Sequence, residues 1–455
     1  MTHSETAPRA ARVALLKTWL GALGVGVFAA ITFGSQLARE PSFVDEWAYL
    51  SQTYYADLWF EGETQRAEWL DYPAYDLPPL PKYVFGAALE LAGYRRPGVA
   101  DANRWYENTH TQCGPFAMLV AARWPTVLLG ALGCMAIYGI GTVAFDRRVG
   151  ILSALLLMLN PLYRTHARRA MSDVIAECFI LCALLAFLLA WRGLLQARAP
   201  VWNWLLALLA GFCAGLAPLA KLNGALAMMI VVAWCLLTGF SPSPRLTTKL
   251  KVGLAGILTG VLSLVTFIAL NPFLTAQPTG GLPPGLKPIA EMGVVERLRM
   301  LVTHRVTISQ SQMKLFPHNA LPRLTDKLGT LTVQGFGRFG PLGPSQSNSV
   351  IRYDWKQDRG ALLWLPLILM GGLTAYRKGW SQYLMDAPPG AWAVLAQAVL
   401  SALVVMAYLP LAWDRYYLSL QPGAALLGAA ALVAGLDLFC RRSRLTEANR
   451  QEIPL

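Results

Sequence analysis

Ten apolar blocks, most of them long enough to cross a lipid bilayer as helix, decide what this chain can fold into. Their approximate limits are 15–37, 117–145, 149–163, 172–191, 202–220, 222–240, 252–271, 361–376, 391–411 and 416–440, the third and eighth being short. A spanning helix needs roughly 20 apolar residues, and lipid tolerates only backbones that satisfy their own hydrogen bonds. The expected class is therefore an all-α polytopic membrane protein with about 10 transmembrane helices. Composition agrees, with 55% hydrophobic residues and 14% charged, where a soluble domain carries about a quarter charged. The run 19–37 is longer than a typical signal-peptide core of ~7–15 residues, so it is expected to stay as a first helix.

The net charge of +13 does not point to nucleic acid. The basic residues gather in short connectors, as the positive-inside bias dictates. With a cytoplasmic N-terminus, inner segments hold sixteen of them and short outer connectors only five: Arg164, Arg168, Arg169, Lys221 and Arg415. The expected organisation is a cytoplasmic tail at 1–14, a transmembrane domain at 15–440 and a cytoplasmic tail at 441–455. The long outer segments, about 38–116 and 272–360, are expected to carry interfacial helices. One is Pro-started over 77–92. Another lies over 289–306, with Val294, Val295, Leu298, Leu301 and Val302 on one side. Residues 335–350 are rich in Gly, Pro and Ser and read as a mobile loop. Seven cysteines form no disulfide or zinc pattern.

Charged residues collect at the ends of the blocks expected outside. Asp45 and Glu46 follow the first block; one suits a general base on an acceptor hydroxyl, while the other holds a metal or the donor. An acidic start to an outer loop explains them equally well. Asp76 precedes a Pro-fixed helix entry, where a capping carboxylate is sufficient explanation, and Lys82 on that helix can snorkel to headgroups. Asp173 and Glu177 stand four apart on one helix face, with Arg168 and Arg169 just outside. Intramembrane carboxylates are functional candidates by default, although a buried ion pair would also account for them. Lys221 and Asn223 occupy a very short connector; a lysine there suits a phosphate or merely sets topology. Arg415 stands between Asp414 and Tyr416, as a bidentate phosphate ligand or an interfacial anchor. His304 or His318 would complete a carboxylate–His metal site with Asp76 or Glu46.

These groups come in a definite order. An acidic pair is followed by the DLPPLPKY helix start, Arg123 in AARWP, Arg168, Arg169 and Asp173, then KLNG, NPF at 271–273, and RYYLSLQP from Arg415. This order, from about 38 to 430, resembles the GT-C superfamily of membrane glycosyltransferases. It is most similar to bacterial protein mannosyltransferase and lipid A aminoarabinose transferase relatives. The resemblance implies a polyprenyl-phosphate-linked sugar donor, an acceptor (protein, lipid A or glycan) on the outer face of the plasma membrane, and inversion at the anomeric carbon. It maps the base onto Asp45 or Glu46, further substrate contacts onto Asp76 and Asp173, and the phosphate-facing cations onto Arg168, Arg169, Lys221 and Arg415. Metal dependence stays open. Sugar transfer from a lipid phosphate needs no nucleotide motif, and the sequence has none. The competing readings are a polytopic transporter or lipid-linked glycan flippase, a glycan polymerase, and a membrane scaffold. The transporter reading is weakened because charges gather at helix ends rather than at mid-bilayer breaks.

Overall fold

The computed structural model describes residues 6–108, 112–196, 200–242, 244–278, 280–317, 319–336, 359–385 and 388–451. Among them there is no β-strand; a lone antiparallel bridge joins Ala320 to Leu411. Among the described residues, eight helices are long and apolar enough to cross a membrane: Leu16–Arg39, Phe116–Ala144, Ser172–Leu195, Val201–Ala220, Leu222–Phe240, Leu246–Ala269, Gly390–Tyr408 and Asp414–Arg441. Two further spans were expected from the sequence. The block at 149–163 forms a 13-residue helix, Arg147–Leu159, then a separate turn of helix at Pro161–His166. Thirteen residues reach only about 20 Å, short of the ~30 Å hydrocarbon core. The block at 361–376 lies within Arg359–Leu384, which contains Pro366.

Ser172–Leu195 is the central helix. Of its spanning window 78% is buried, against 28% for the first span, so it faces protein on all sides while the first span faces lipid on most. It packs between Phe116–Ala144 and Pro200–Ala220, and the latter packs on Leu246–Ala269. Lipid gives little hydrophobic drive for such pairing, so close backbone approach matters. Gly211 supplies it, since a Cβ there would stand 2.7 Å from the Thr259 carbonyl oxygen. Thr259 Oγ1 also donates to the Ala207 carbonyl at 3.0 Å.

The segment after the first span folds into short helices at Val44–Ser51, Tyr54–Phe60, Pro79–Leu91 and Val99–Glu107. They share an aromatic core in which Tyr55 and Trp69 centroids lie 4.8 Å apart and Trp59 stacks on Tyr83 at 5.2 Å. After Leu246–Ala269 the chain forms Pro272–Thr275, Val294–Leu315 and Leu324–Phe336. Buried Arg297 fastens the long helix here, donating to the carbonyls of Phe273, Ala276, Ile289 and Ala290 at 2.7–3.1 Å.

Several details differ from the sequence reading. The expected 289–306 helix begins at Val294 and continues to Leu315. Its apolar stripe divides: Leu301 is buried in the core, whereas Leu298 and Val302 line an open groove and Val295 is 71% exposed. Gly335 and Phe336, expected in a mobile loop, end a helix; 337–350 lie outside the described residues, as does His318. The first and last helices extend into the segments expected as tails, starting at Thr6 and ending at Gln451.

Candidate functional site

Seven of the candidate residues meet in one cavity of about 230 Å³. Asp45, Asp76, Asp173, Lys221, Asn223, Arg415 and Tyr416 all line it, brought from five separate stretches of chain. Local structure explains how each arrives. Asp45 is in the first turn of Val44–Ser51. Asp173 is in the first turn of the central helix. Lys221 and Asn223 sit on a tight turn closed by the Gly224 N–H to the Lys221 carbonyl at 2.7 Å. Gly224 is required there, because any Cβ would collide with the backbone of Ala217. Arg415 is the second residue of the 3-10 segment Asp414–Leu420. The stretch just before it is tethered by Leu321 N–H to the Pro410 carbonyl at 2.9 Å and Ala412 N–H to the Asn319 carbonyl at 2.8 Å.

Inside the cavity each carboxylate faces a cation. Arg415 pairs with Asp45, and its guanidinium lies over the Trp413 ring at 4.9 Å. Lys221 Nζ donates to Asp173 Oδ1 at 2.5 Å and stands 5.6 Å from the Tyr416 ring. Asp76 accepts from the Tyr106 hydroxyl at 2.6 Å, with His304 Nε2 at 3.7 Å and Arg305 at 3.9 Å. Burial opposes its charge, but the His304 ring, the Arg305 charge and Tyr106 outweigh that and hold its carboxyl below the usual range. Asp76 is therefore not the helix cap that the sequence suggested; the Pro79–Leu91 helix has no side-chain cap.

Glu46 is turned away from the cavity, although it neighbours Asp45. It is fully buried and accepts four hydrogen bonds at 2.7–2.9 Å: two from Arg123, one from the Phe43 N–H and one from the Ala170 N–H. Arg123 spends its other donors on the carbonyls of Leu37, Glu40 and Pro41. A carboxylate with all its acceptor sites filled has none for a substrate. Arg168 also leaves the site, donating to the Phe33 and Thr32 carbonyls at the end of the first helix. Arg169 pairs with Glu40 and covers the Phe43 ring at 4.7 Å. Lys82 does not reach lipid headgroups: it is 1% exposed, donates to the Pro73 carbonyl at 2.6 Å, and burial pushes its ammonium well below the usual lysine range.

The sequence reading missed Arg305, Trp105, Trp413 and Gln312 as site residues, and they also line the cavity. Arg305 had a usable signal. It lies on the helical stripe Leu298, Val302, Arg305, Ser309, Gln312, whose apolar end lines a second recess and whose polar end lines the cavity. That second recess, about 700 Å³, is walled by Leu226, Met229, Leu264, Phe267, Leu298, Val302 and Val404, and shares Leu222, Asn223, Arg305 and Tyr408 with the polar cavity. A charged chamber thus continues into an apolar groove, a shape suited to an amphiphile. Among the described residues no three His, Cys, Asp or Glu side chains gather to hold a metal ion; His304 approaches Asp76 and not Glu46.

Comparison with known families settles the lineage. The family model described as dolichyl-phosphate-mannose-protein mannosyltransferase matches residues 48–276, half of the chain. The chain belongs to that family. This mannosyltransferase-family chain also shares its fold with solved structures. The archaeal oligosaccharyltransferase AglB from Archaeoglobus fulgidus, in complex with an inhibitory peptide and a dolichol-phosphate, superposes with a TM-score of 0.52 at 16% identity, covering 94% of this chain and 52% of that one. ArnT from Cupriavidus metallidurans in the apo state gives 0.50 at 15% identity, covering 93% and 60%. This family member spans about half the length of the AglB chain. Its fold is that of the GT-C membrane glycosyltransferases. No curated protein sequence matches it.

Proposed function

We propose that this chain transfers a sugar from a polyprenyl-phosphate donor to an acceptor hydroxyl by direct displacement. The observation that carries the reading is the junction at Asn223, Arg305 and Tyr408, where the charged cavity opens into the apolar groove. A prenyl chain fits the groove and its sugar phosphate fits the cavity. The dolichol-phosphate held by AglB and the family assignment support a lipid-linked donor, and they do not favour a transporter, flippase or polymerase.

Asp45 is the base in this scheme. Its carboxylate takes the acceptor hydroxyl proton as that oxygen attacks the anomeric carbon from the face opposite the phosphate. The carbon–oxygen bond to phosphate breaks, configuration inverts, and the lipid phosphate leaves with one more negative charge. Arg415, Lys221 and Arg305 offset that charge in a cleft where water is scarce. Arg415 is paired with Asp45 before substrate arrives, so its move toward phosphate would release the base. Asp173 holds Lys221 in place, and Asp76 and Tyr416 line the sugar or acceptor side. The charge bias of the connectors supports a cavity opening away from the cytoplasm, with the chain in the plasma membrane. The sugar and the acceptor, whether protein, lipid A or glycan, are to be identified by experiment.

Asp45→Asn in membranes supplied with labelled polyprenyl-phosphate mannose is the direct test. A general base contributes roughly 10²–10⁴-fold, so transfer should fall by at least about 100-fold. Undiminished transfer by a folded variant would remove Asp45 from the mechanism.

A further inference from the structure

Below the cavity lies a second acid–base pair that the displacement scheme does not use. His166 ends the short helix Pro161–His166, which is begun by Pro161 and capped by the Asn160 side chain at 3.0 Å. Asp414 opens the 3-10 segment that carries Arg415. Both side chains are 1% exposed, and His166 Nε2 stands 3.5 Å from Asp414 Oδ2. Neither of these atoms has a hydrogen-bond partner, nor has His166 Nδ1, so the approach is electrostatic. The other carboxylate oxygen, Asp414 Oδ1, accepts the Arg415 backbone N–H at 2.6 Å.

Such a pair is poor packing material. Apolar residues of the same volume would serve stability as well or better, and unpartnered buried polar atoms are costly. What it provides is connection. The Asp414 carboxylate runs from the His166 ring to the amide of Arg415, and the Arg415 guanidinium runs on to Asp45. On either side of Asp414, Trp413 and Arg415 both line the cavity. We infer that His166 and Asp414 are positioning residues: they fix the backbone at Arg415 so that its guanidinium is presented to the lipid phosphate. The inference rests on the reading above, in which Arg415 meets that phosphate.

The test measures binding of undecaprenyl phosphate to the purified full-length chain in detergent, with thermal unfolding run alongside. Asp414→Leu should weaken binding by about 10-fold, the scale of one lost charged hydrogen bond. His166→Leu should weaken it in the same direction. Asp414→Asn keeps an oxygen for the Arg415 N–H and should stay within about 3-fold of wild type. The decisive measurement is the double variant. If Asp414 works through Arg415, Asp414→Leu adds nothing to the loss already caused by Arg415→Gln. Equal losses in both backgrounds mean general damage and overturn the inference, as does wild-type binding by a folded Asp414→Leu or His166→Leu chain. Should Asp414→Leu not fold, a near-isosteric Asp414→Asn that binds as weakly as Arg415→Gln overturns it too. Wild-type binding by Arg415→Gln is a different failure, since it removes the phosphate reading itself.

Discussion

Two adjacent carboxylates in this chain have opposite fates, and the difference lies in what surrounds each. Glu46 is enclosed by Arg123 and two backbone amides, whereas Asp45 faces an open cavity and a single cation, Arg415. Their substitutions should therefore separate. Glu46→Gln breaks a fully buried ion pair, a change that costs about 3–5 kcal/mol, and should show as a lowered unfolding temperature in detergent. Asp45→Asn should leave that temperature nearly unchanged while abolishing transfer. Asp76 gives a second contrast. Its folded carboxyl titrates below the unfolded one, so its contribution to stability is fully present above about pH 5 and fades as pH falls through the folded value. The stability gap between wild type and Asp76→Asn should be present at about pH 5 and close as pH falls below about 4, as read from thermal unfolding across that range.

At the level of elements, the Val294–Leu315 helix joins the two halves of the site. Val302 faces the apolar groove, and Arg305, one turn on, faces both chambers. Val302→Asp should raise the KM for a long-chain polyprenyl-phosphate sugar by about 10-fold or more, given the cost of an unpaired charge against lipid tail. A donor with a short, water-soluble prenyl chain should be affected much less. Equal effects on both donors would place the tail elsewhere. This helix also shows what a sequence can and cannot display. Apolar blocks and a Pro-started turn announce helices directly, because periodicity and backbone restriction are local properties. Asp173, Lys221 and Arg415 were legible as candidates because charge at the end of an apolar block is conspicuous. Which of two neighbouring acids faces the cavity was not legible, since the answer lies in Arg123, 77 residues away from Glu46. Arg168 and Arg169 misled for the same reason: their partners are carbonyls and a carboxylate of the first-helix end.

For the whole molecule, the arrangement predicts sidedness. With Cys113 and Cys440 replaced by Ser, a cysteine at exposed Glu61 should react with a membrane-impermeant maleimide added outside intact cells. One at exposed Arg377 should react only after permeabilisation. The reverse pattern would turn the cavity toward the cytoplasm. The Arg415–Asp45 contact gives the assembled site a further property. On the proposed scheme, an acceptor that enters ahead of the donor meets a base still held by guanidinium and stays protonated. The incoming lipid anion would then draw that guanidinium off. The order of arrival would thereby follow from the pairing, and the scheme would guard against activating a nucleophile, or a stray water, when there is no sugar to receive it.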